Sequence, residues 1–276
     1  MNIQKIAFIG GGNMARSLTG GLIQASILPK SIAIGEPNKL RREELYREFS
    51  VVTSDNNASV AQDADIIILA VKPQHAASTV SDLSETLSAR KPLVISILAG
   101  INIASINSWG GGNLAIVRAM PNTPALIRAG ITTLFANDKV TVIQRSQAES
   151  IMKTIGKTVW VDDENLIDTV TSISGSGPAY FFYLIEAMEQ AAMDGGLEPE
   201  LARMLTLETA LGAARLAVDT NEPPTKLRKQ VTSPGGTTEA AIAVLDKYQT
   251  SDTIKAAISA AKKRAQELAS ANEVDE

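Results

Sequence analysis

Ile6-Ala7-Phe8-Ile9-Gly10-Gly11-Gly12-Asn13-Met14-Ala15 decides the fold. Four apolar residues run into three glycines and then into a helical pattern, so the stretch reads as a buried strand, a tight turn and a helix start. Gly10, Gly12 and Ala15 fall at the spacing G-x-G-x-x-A, where small residues let backbone amides approach a pyrophosphate at a helix N-terminus. A tight turn alone would also ask for glycine. The placement between strand and helix favours the dinucleotide loop, Gly10, Gly11, Gly12, Asn13, Met14 and Ala15 together.

Outward from this loop the pattern repeats. Apolar runs at 31–36, 65–71, 92–98 and 115–120 alternate with helical stretches such as Lys39 to Phe49, as βαβ units do. Ile66-Ile67-Ile68-Leu69-Ala70-Val71 is continuously apolar, which suits a central strand covered on both faces. The expected class is α/β: an N-terminal Rossmann-type doubly wound sheet over 1–162, then an all-helical domain over 163–276. In the second half, Leu184, Ala187, Met188 and Ala191 recur at helical spacing. Breaks are expected at Gly175 to Pro178, Gly195-Gly196, Pro223-Pro224 and Pro234 to Gly236. The acidic triplet Asp162-Asp163-Glu164 sits where a helix should begin and is read as capping it rather than as a paired-carboxylate site. The last residues, Ala271 to Glu276, are read as a frayed tail.

Composition narrows the chemistry. The 276 residues carry no cysteine and one histidine, His75, which removes disulfides and thiolate metal sites and leaves little for zinc or a serine-histidine triad. A net charge of −4 argues against a nucleic-acid partner. No apolar run reaches membrane-spanning length and no basic leader precedes the first strand, so the expected location is cytoplasmic, with no membrane partner.

The second strand ends at Glu36, 21 residues beyond Ala15, where an acid can accept hydrogen bonds from an adenosine ribose and repel a 2′-phosphate. Lys39, Arg41 and Arg42 follow at once and could hold that phosphate instead. Between NADPH and NADH the sequence leaves the choice open.

Four further segments combine with the loop: Val71-Lys72-Pro73, Met120-Pro121-Asn122-Thr123-Pro124, Ser174-Gly175-Ser176-Gly177-Pro178-Ala179-Tyr180 and Val231-Thr232-Ser233-Pro234-Gly235-Gly236-Thr237-Thr238. In that order, over essentially the whole chain, they resemble pyrroline-5-carboxylate reductase. The resemblance implies reduction of 1-pyrroline-5-carboxylate to L-proline with NADPH or NADH, and a helical domain that dimerises and in relatives often builds larger rings. It implies a cofactor site lined by Gly10 to Ala15, Asn57 and Ala70, Val71, Lys72 and Pro73, with Ala99 near the nicotinamide and the Asn122 segment facing the cleft. It implies substrate contacts from Val231, Ser233, Gly236, Thr237 and Thr238, with Ser176 in the neighbouring glycine-rich loop. Where many relatives carry Ser, Thr or Asn at the end of the second strand, this chain has Gly35-Glu36.

The residues themselves support two readings of the last segment. Gly235-Gly236-Thr237-Thr238 ahead of an apolar helix offers free amides for a substrate carboxylate, or the threonines simply cap that helix. Thr238 is the candidate hydroxyl for the imine nitrogen. His75 is expected on an exposed segment behind a tight Lys72-Pro73 turn, and Tyr180 to Tyr183 are expected in a core or a subunit contact. Two other functions fit parts of the pattern. A β-hydroxyacid dehydrogenase would want a lysine early in the second domain, and none occurs from Asp163 to Gly196. A non-catalytic nucleotide sensor would bind cofactor without turnover.

Overall fold

In the computed structural model, which describes residues 4–270, the chain opens with β1 (Ile6–Ile9), α1 (Asn13–Gln24), β2 (Ile32–Gly35), α2 (Lys39–Phe49), β3 (Val52–Ser54) and α3 (Asn57–Ala61). It continues through β4 (Ile66–Leu69), α4 (Ala76–Asp82), α5 (Ser84–Arg90), β5 (Leu93–Ser96), α6 (Ile103–Trp109) and β6 (Ala115–Met120). These six strands run parallel in the order β3-β2-β1-β4-β5-β6. Because β1 sits between β2 and β4, the chain reverses direction across the sheet there, and a crevice opens at the carboxyl ends of the strands. The sheet is then extended by β7 (Gly130–Ala136), antiparallel to β6, and by β8 (Gly156–Trp160), parallel to β7, with α7 (Val142–Lys153) between them.

The continuous apolar strands have the expected cause. Ile66 to Leu69 are all fully buried, and alternate residues face different helix layers. Ile66 and Ile68 pack with Leu18, Leu22 and Leu45 on one side, while Ile67 and Leu69 pack with Val80, Leu83 and Ile106 on the other. Period-two alternation therefore feeds two cores, which is what a doubly wound sheet requires. Aligned partners Ile9, Gly35, Leu69 and Ser96 level the carboxyl edge.

After β8 the chain is helical: α8 (Leu166–Val170), a π-helical turn over Thr171–Gly175, α9 (Gly177–Asp194), α10 (Pro199–Thr220), α11 (Pro224–Gln230), α12 (Thr237–Lys247) and α13 (Thr250–Ser270). The breaks fall at the glycines and prolines expected from sequence. By packing, the described residues up to Ser176 and those from Ala261 onward form one compact unit, and Gly177 to Ala260 form a second. Within the first unit, Leu268 of α13 lies over Gly100, whose positive φ and close contact leave no comfortable place for a side chain. The expected frayed tail at 271–276 lies outside the described residues.

One local expectation is corrected. Glu164 does not cap the helix that follows it. Its carboxylate accepts the backbone N–H of Ile103 at 2.8 Å, so it satisfies the first amide of α6, and it pairs with Arg118 at 3.0 Å. Arg118 also reaches Asp168 at 3.5 Å, so Glu164 is a tertiary anchor, whereas Asp163 acts locally and accepts the Asn165 N–H at 2.9 Å where α8 begins. Of the two placements expected for the aromatic run on α9, core or subunit contact, the core of its own unit is not the one taken: Phe181, Phe182 and Tyr183 are 67%, 63% and 76% exposed.

Candidate functional site

The glycine loop is shaped by what surrounds it. Gly10 adopts φ +104°, and a Cβ there would lie 2.6 Å from the carbonyl oxygen of Ala70, so the segment after β4 can approach only because residue 10 is glycine. Gly11 is walled in from the other side by Leu45 and Glu36. Gly12, by contrast, has nothing within 4 Å of where a Cβ would stand and is the N-cap of α1 with no side chain to cap it. The first-turn amides of a 12-residue helix are thereby left without a side-chain cap. This is a seat that suits a pyrophosphate, by both hydrogen bonding and helix dipole.

Glu36, at the end of β2, is buried and already engaged. One carboxylate oxygen accepts the Gly11 N–H at 3.1 Å and lies 3.4 Å from the Arg41 guanidinium, and the other accepts the Asn38 N–H at 2.9 Å. The three neighbouring cations differ. Arg42 donates to the carbonyls of Glu36 and Pro37 at 2.7 and 2.8 Å and reaches Asp55, which ties it to the backbone. Arg41 is 52% exposed and Lys39 is 80% exposed beside the N-terminus of α2.

The other expected cofactor residues arrive at the same carboxyl edge. Asn57 begins α3, and its Oδ1 occupies the space a Cβ on Gly35 would need. Ala70 follows β4, where its N–H donates to the carbonyl of Ile9 at 2.8 Å, and Val71, Lys72 and Pro73 lead into a short 3-10 turn. That turn places His75 on the exposed surface, as expected, with its carbonyl accepting from Ser78. Ala99 follows β5, and Asn122 follows β6. The crevice edge thus collects Gly10 to Ala15, Glu36, Asn57, Ala70 to Pro73, Ala99 and Asn122.

The second cluster lies in the other compact unit. Val231 ends α11, and Ser233, Gly235 and Gly236 form the turn into α12. Gly235 has φ +72° and donates its N–H to Glu239 at 2.8 Å. The N-cap is Gly236, so Thr237 and Thr238 are the first two helical residues rather than the cap. The threonine-cap alternative is therefore not realised, and no side chain caps the first amides of α12.

Sequence reasoning did not identify the trio of buried Arg118 with partly buried Glu164 and Asp168. Arg118 lies in an otherwise apolar strand, and that interruption of Ala115 to Met120 was the available signal. Nor did it foresee that Glu36 turns inward, because the acid's partners become visible only once the loop is folded over it.

Residues 164–268 match the family described as pyrroline-5-carboxylate reductase dimerisation, and residues 5–100 match one described as NADP oxidoreductase, coenzyme F420-dependent. The chain is 44% identical to a pyrroline-5-carboxylate reductase from Pseudomonas aeruginosa, covering 98% of each. Among solved structures, one from Coxiella burnetii with the same description is 43% identical with a TM-score of 0.90, covering 97% of this chain and 99% of that one. A pyrroline carboxylate reductase from Plasmodium falciparum, solved with NADP bound, is 30% identical with a TM-score of 0.88, covering 98% and 99%.

Proposed function

The chain belongs to the pyrroline-5-carboxylate reductase family, and from that premise we propose that it reduces 1-pyrroline-5-carboxylate to L-proline with a reduced nicotinamide dinucleotide, at the last step of proline formation. The observation that carries this reading is the pairing of two cradles on one chain. A glycine loop opens onto uncapped helix amides at the sheet crevice, and a second glycine turn opens onto uncapped amides at α12. The first suits a dinucleotide pyrophosphate and the second a small carboxylate.

When bound, the dinucleotide supplies a hydride to the imine carbon of the substrate. The residues of this chain bind and orient. Gly10 to Ala15 hold the pyrophosphate, Asn57 and Ala70 to Pro73 flank the adenosine side, and Ala99 lies toward the nicotinamide. In the functional division we assign, residues 1–162 bind cofactor and 163–276 bind substrate and dimerise. There the α12 amides at Thr237 and Thr238 receive the substrate carboxylate, with Gly236, Val231 and Ser233 around them, and Ser176 is the further substrate contact we assign. The Thr238 hydroxyl hydrogen-bonds the substrate nitrogen as it gains amine character, and the proton comes from solvent.

For the cofactor, we read NADPH as preferred over NADH. Glu36 directs its carboxylate to Gly11 and Asn38, leaving Arg41 and Lys39 as the exposed groups at the end of β2. The assembly is a homo-oligomer built on the helical domain, whose α9 exposes Phe181, Phe182 and Tyr183 as a contiguous aromatic stretch. Among the described residues no helix is long and apolar enough to cross a membrane. We place the reaction in the cytoplasm.

Purified protein mixed with 1-pyrroline-5-carboxylate should consume NADPH absorbance and yield proline in equal amount. Binding of cofactor without substrate-dependent oxidation would overturn the assignment in favour of a nucleotide sensor.

A further inference from the structure

Pro178 has no backbone N–H, so the carbonyl four residues before it, that of Ser174, loses the donor a continuous helix would give it. The chain departs from α-helix at this place. Thr171–Gly175 form a π-helical turn in which the Ser176 N–H donates to the carbonyl of Thr171 at 2.8 Å. Three hydroxyls bond back to the preceding turn: Thr171 to Ile167, Ser172 to Thr169 and Ser174 to Val170. Such back-bonding bends helices, and isolated π turns recur at functional sites.

The donor missing at Ser174 is supplied from another element. The side-chain amide of Asn122 donates to the Ser174 carbonyl at 3.0 Å, while its carbonyl oxygen accepts the N–H of Ile131 at 3.0 Å. Both ends of Asn122 are therefore engaged within the same compact unit, one on the strand β7 and one on the π turn. Met120, two residues earlier, closes on Gly175, where a Cβ would lie 2.8 Å from the methionine methyl. Arg118, two residues earlier again, holds Glu164 and Asp168 at the other end of the α8 segment. Alternate positions along the end of β6 thus grip one short stretch of chain at three points.

We infer that Asn122 is a positioning residue for the substrate rather than a contact to the cofactor: it fixes the π turn whose next residue is Ser176, and through that turn sets where Ser176 meets the pyrroline carboxylate. This rests on the function proposed above. Asn122→Asp is nearly isosteric, keeps the acceptor for Ile131 and replaces the donor to Ser174 with an oxygen. Asn122→Ala removes both bonds without adding charge.

The experiment measures three quantities on the full-length protein: NADPH dissociation constant without substrate, KM for 1-pyrroline-5-carboxylate at saturating NADPH, and kcat. For either variant that stays folded by circular dichroism, KM for the imine rises tenfold or more, kcat falls less than threefold and NADPH affinity stays within twofold. Ser176→Ala raises the same KM, and the double variant Asn122→Asp with Ser176→Ala is no worse than the poorer single one, because both act on one contact. NADPH affinity weakening as much as KM would make Asn122 a cofactor contact and overturn the inference. So would an unchanged KM, a loss confined to kcat, or additive effects with Ser176. Absence of turnover by the unaltered protein would overturn the functional assignment and this inference with it.

Discussion

The carboxylate of Glu36 accepts the N–H of Gly11 at 3.1 Å, so the acid at the end of the second strand braces the dinucleotide loop from below. A cofactor ribose would have to compete for it with Gly11, Asn38 and Arg41. Glu36→Gln keeps the size but offers one acceptor oxygen instead of two. The expected result is weaker binding of NADPH and NADH alike, by about tenfold for a buried, charge-assisted bond, with their ratio nearly unchanged. Arg41→Ala should raise KM for NADPH and leave that for NADH close to its starting value. A Glu36→Gln variant that loses NADH alone would show that the acid reads the ribose.

Gly35→Ala places a methyl where Asn57 Oδ1 now lies. The side chain of Asn57 must turn away, so Gly35→Ala and Asn57→Ala should weaken cofactor binding by similar factors, roughly two- to tenfold for one hydrogen bond. The double variant should add nothing further. Titration of nicotinamide fluorescence checks this, and strict additivity would separate the two positions.

Arg118 is 4% exposed and its charge faces two acids, Glu164 and Asp168. Arg118→Met leaves two partly buried carboxylates without a cation, at a cost of about 3 to 5 kcal/mol. Thermal unfolding should show a drop of roughly 6 to 20 °C for a domain of this size. Arg118→Lys should recover only part of it, because an ammonium lacks the fork that reaches both acids.

Thr238→Ala removes a hydroxyl at the start of α12 without touching the N-cap, which is Gly236. Losing a hydrogen bond to a charged nitrogen lowers catalytic efficiency by about ten- to a hundred-and-fifty-fold, or roughly 1.5 to 3 kcal/mol. Steady-state kinetics with unchanged efficiency would remove Thr238 from the mechanism.

Glu149 hydrogen-bonds Lys153 at 2.7 Å, and that bond holds its carboxyl below the ordinary 4.5. A depressed native value means the stabilisation is present above the unfolded value and is lost as pH falls through the native one. Lys153→Met should move the Glu149 titration upward, as followed by carboxyl NMR. The pair is solvent-exposed, so thermal stability at neutral pH should barely change.

Much of this fold is carried by short-range signals. Ile6 to Ala15 specify strand, turn and helix within ten residues, and Ile66 to Val71 declare a strand buried on both faces, because side-chain period and glycine freedom act locally. Pro178, Gly195-Gly196, Pro223-Pro224 and Gly235-Gly236 likewise mark the helix ends observed. Those parts the amino-acid order determined by itself. What only tertiary structure decided is the partner of each polar side chain. Glu164 serves a helix 61 positions away, Asn122 reaches Ser174 across 52 positions, and Glu36 turns toward Gly11 rather than outward. A hydrogen bond depends on distances of about 3 Å between groups that chain order leaves far apart. The residue types show that such groups must be satisfied, and the packed sheet decides by which neighbour.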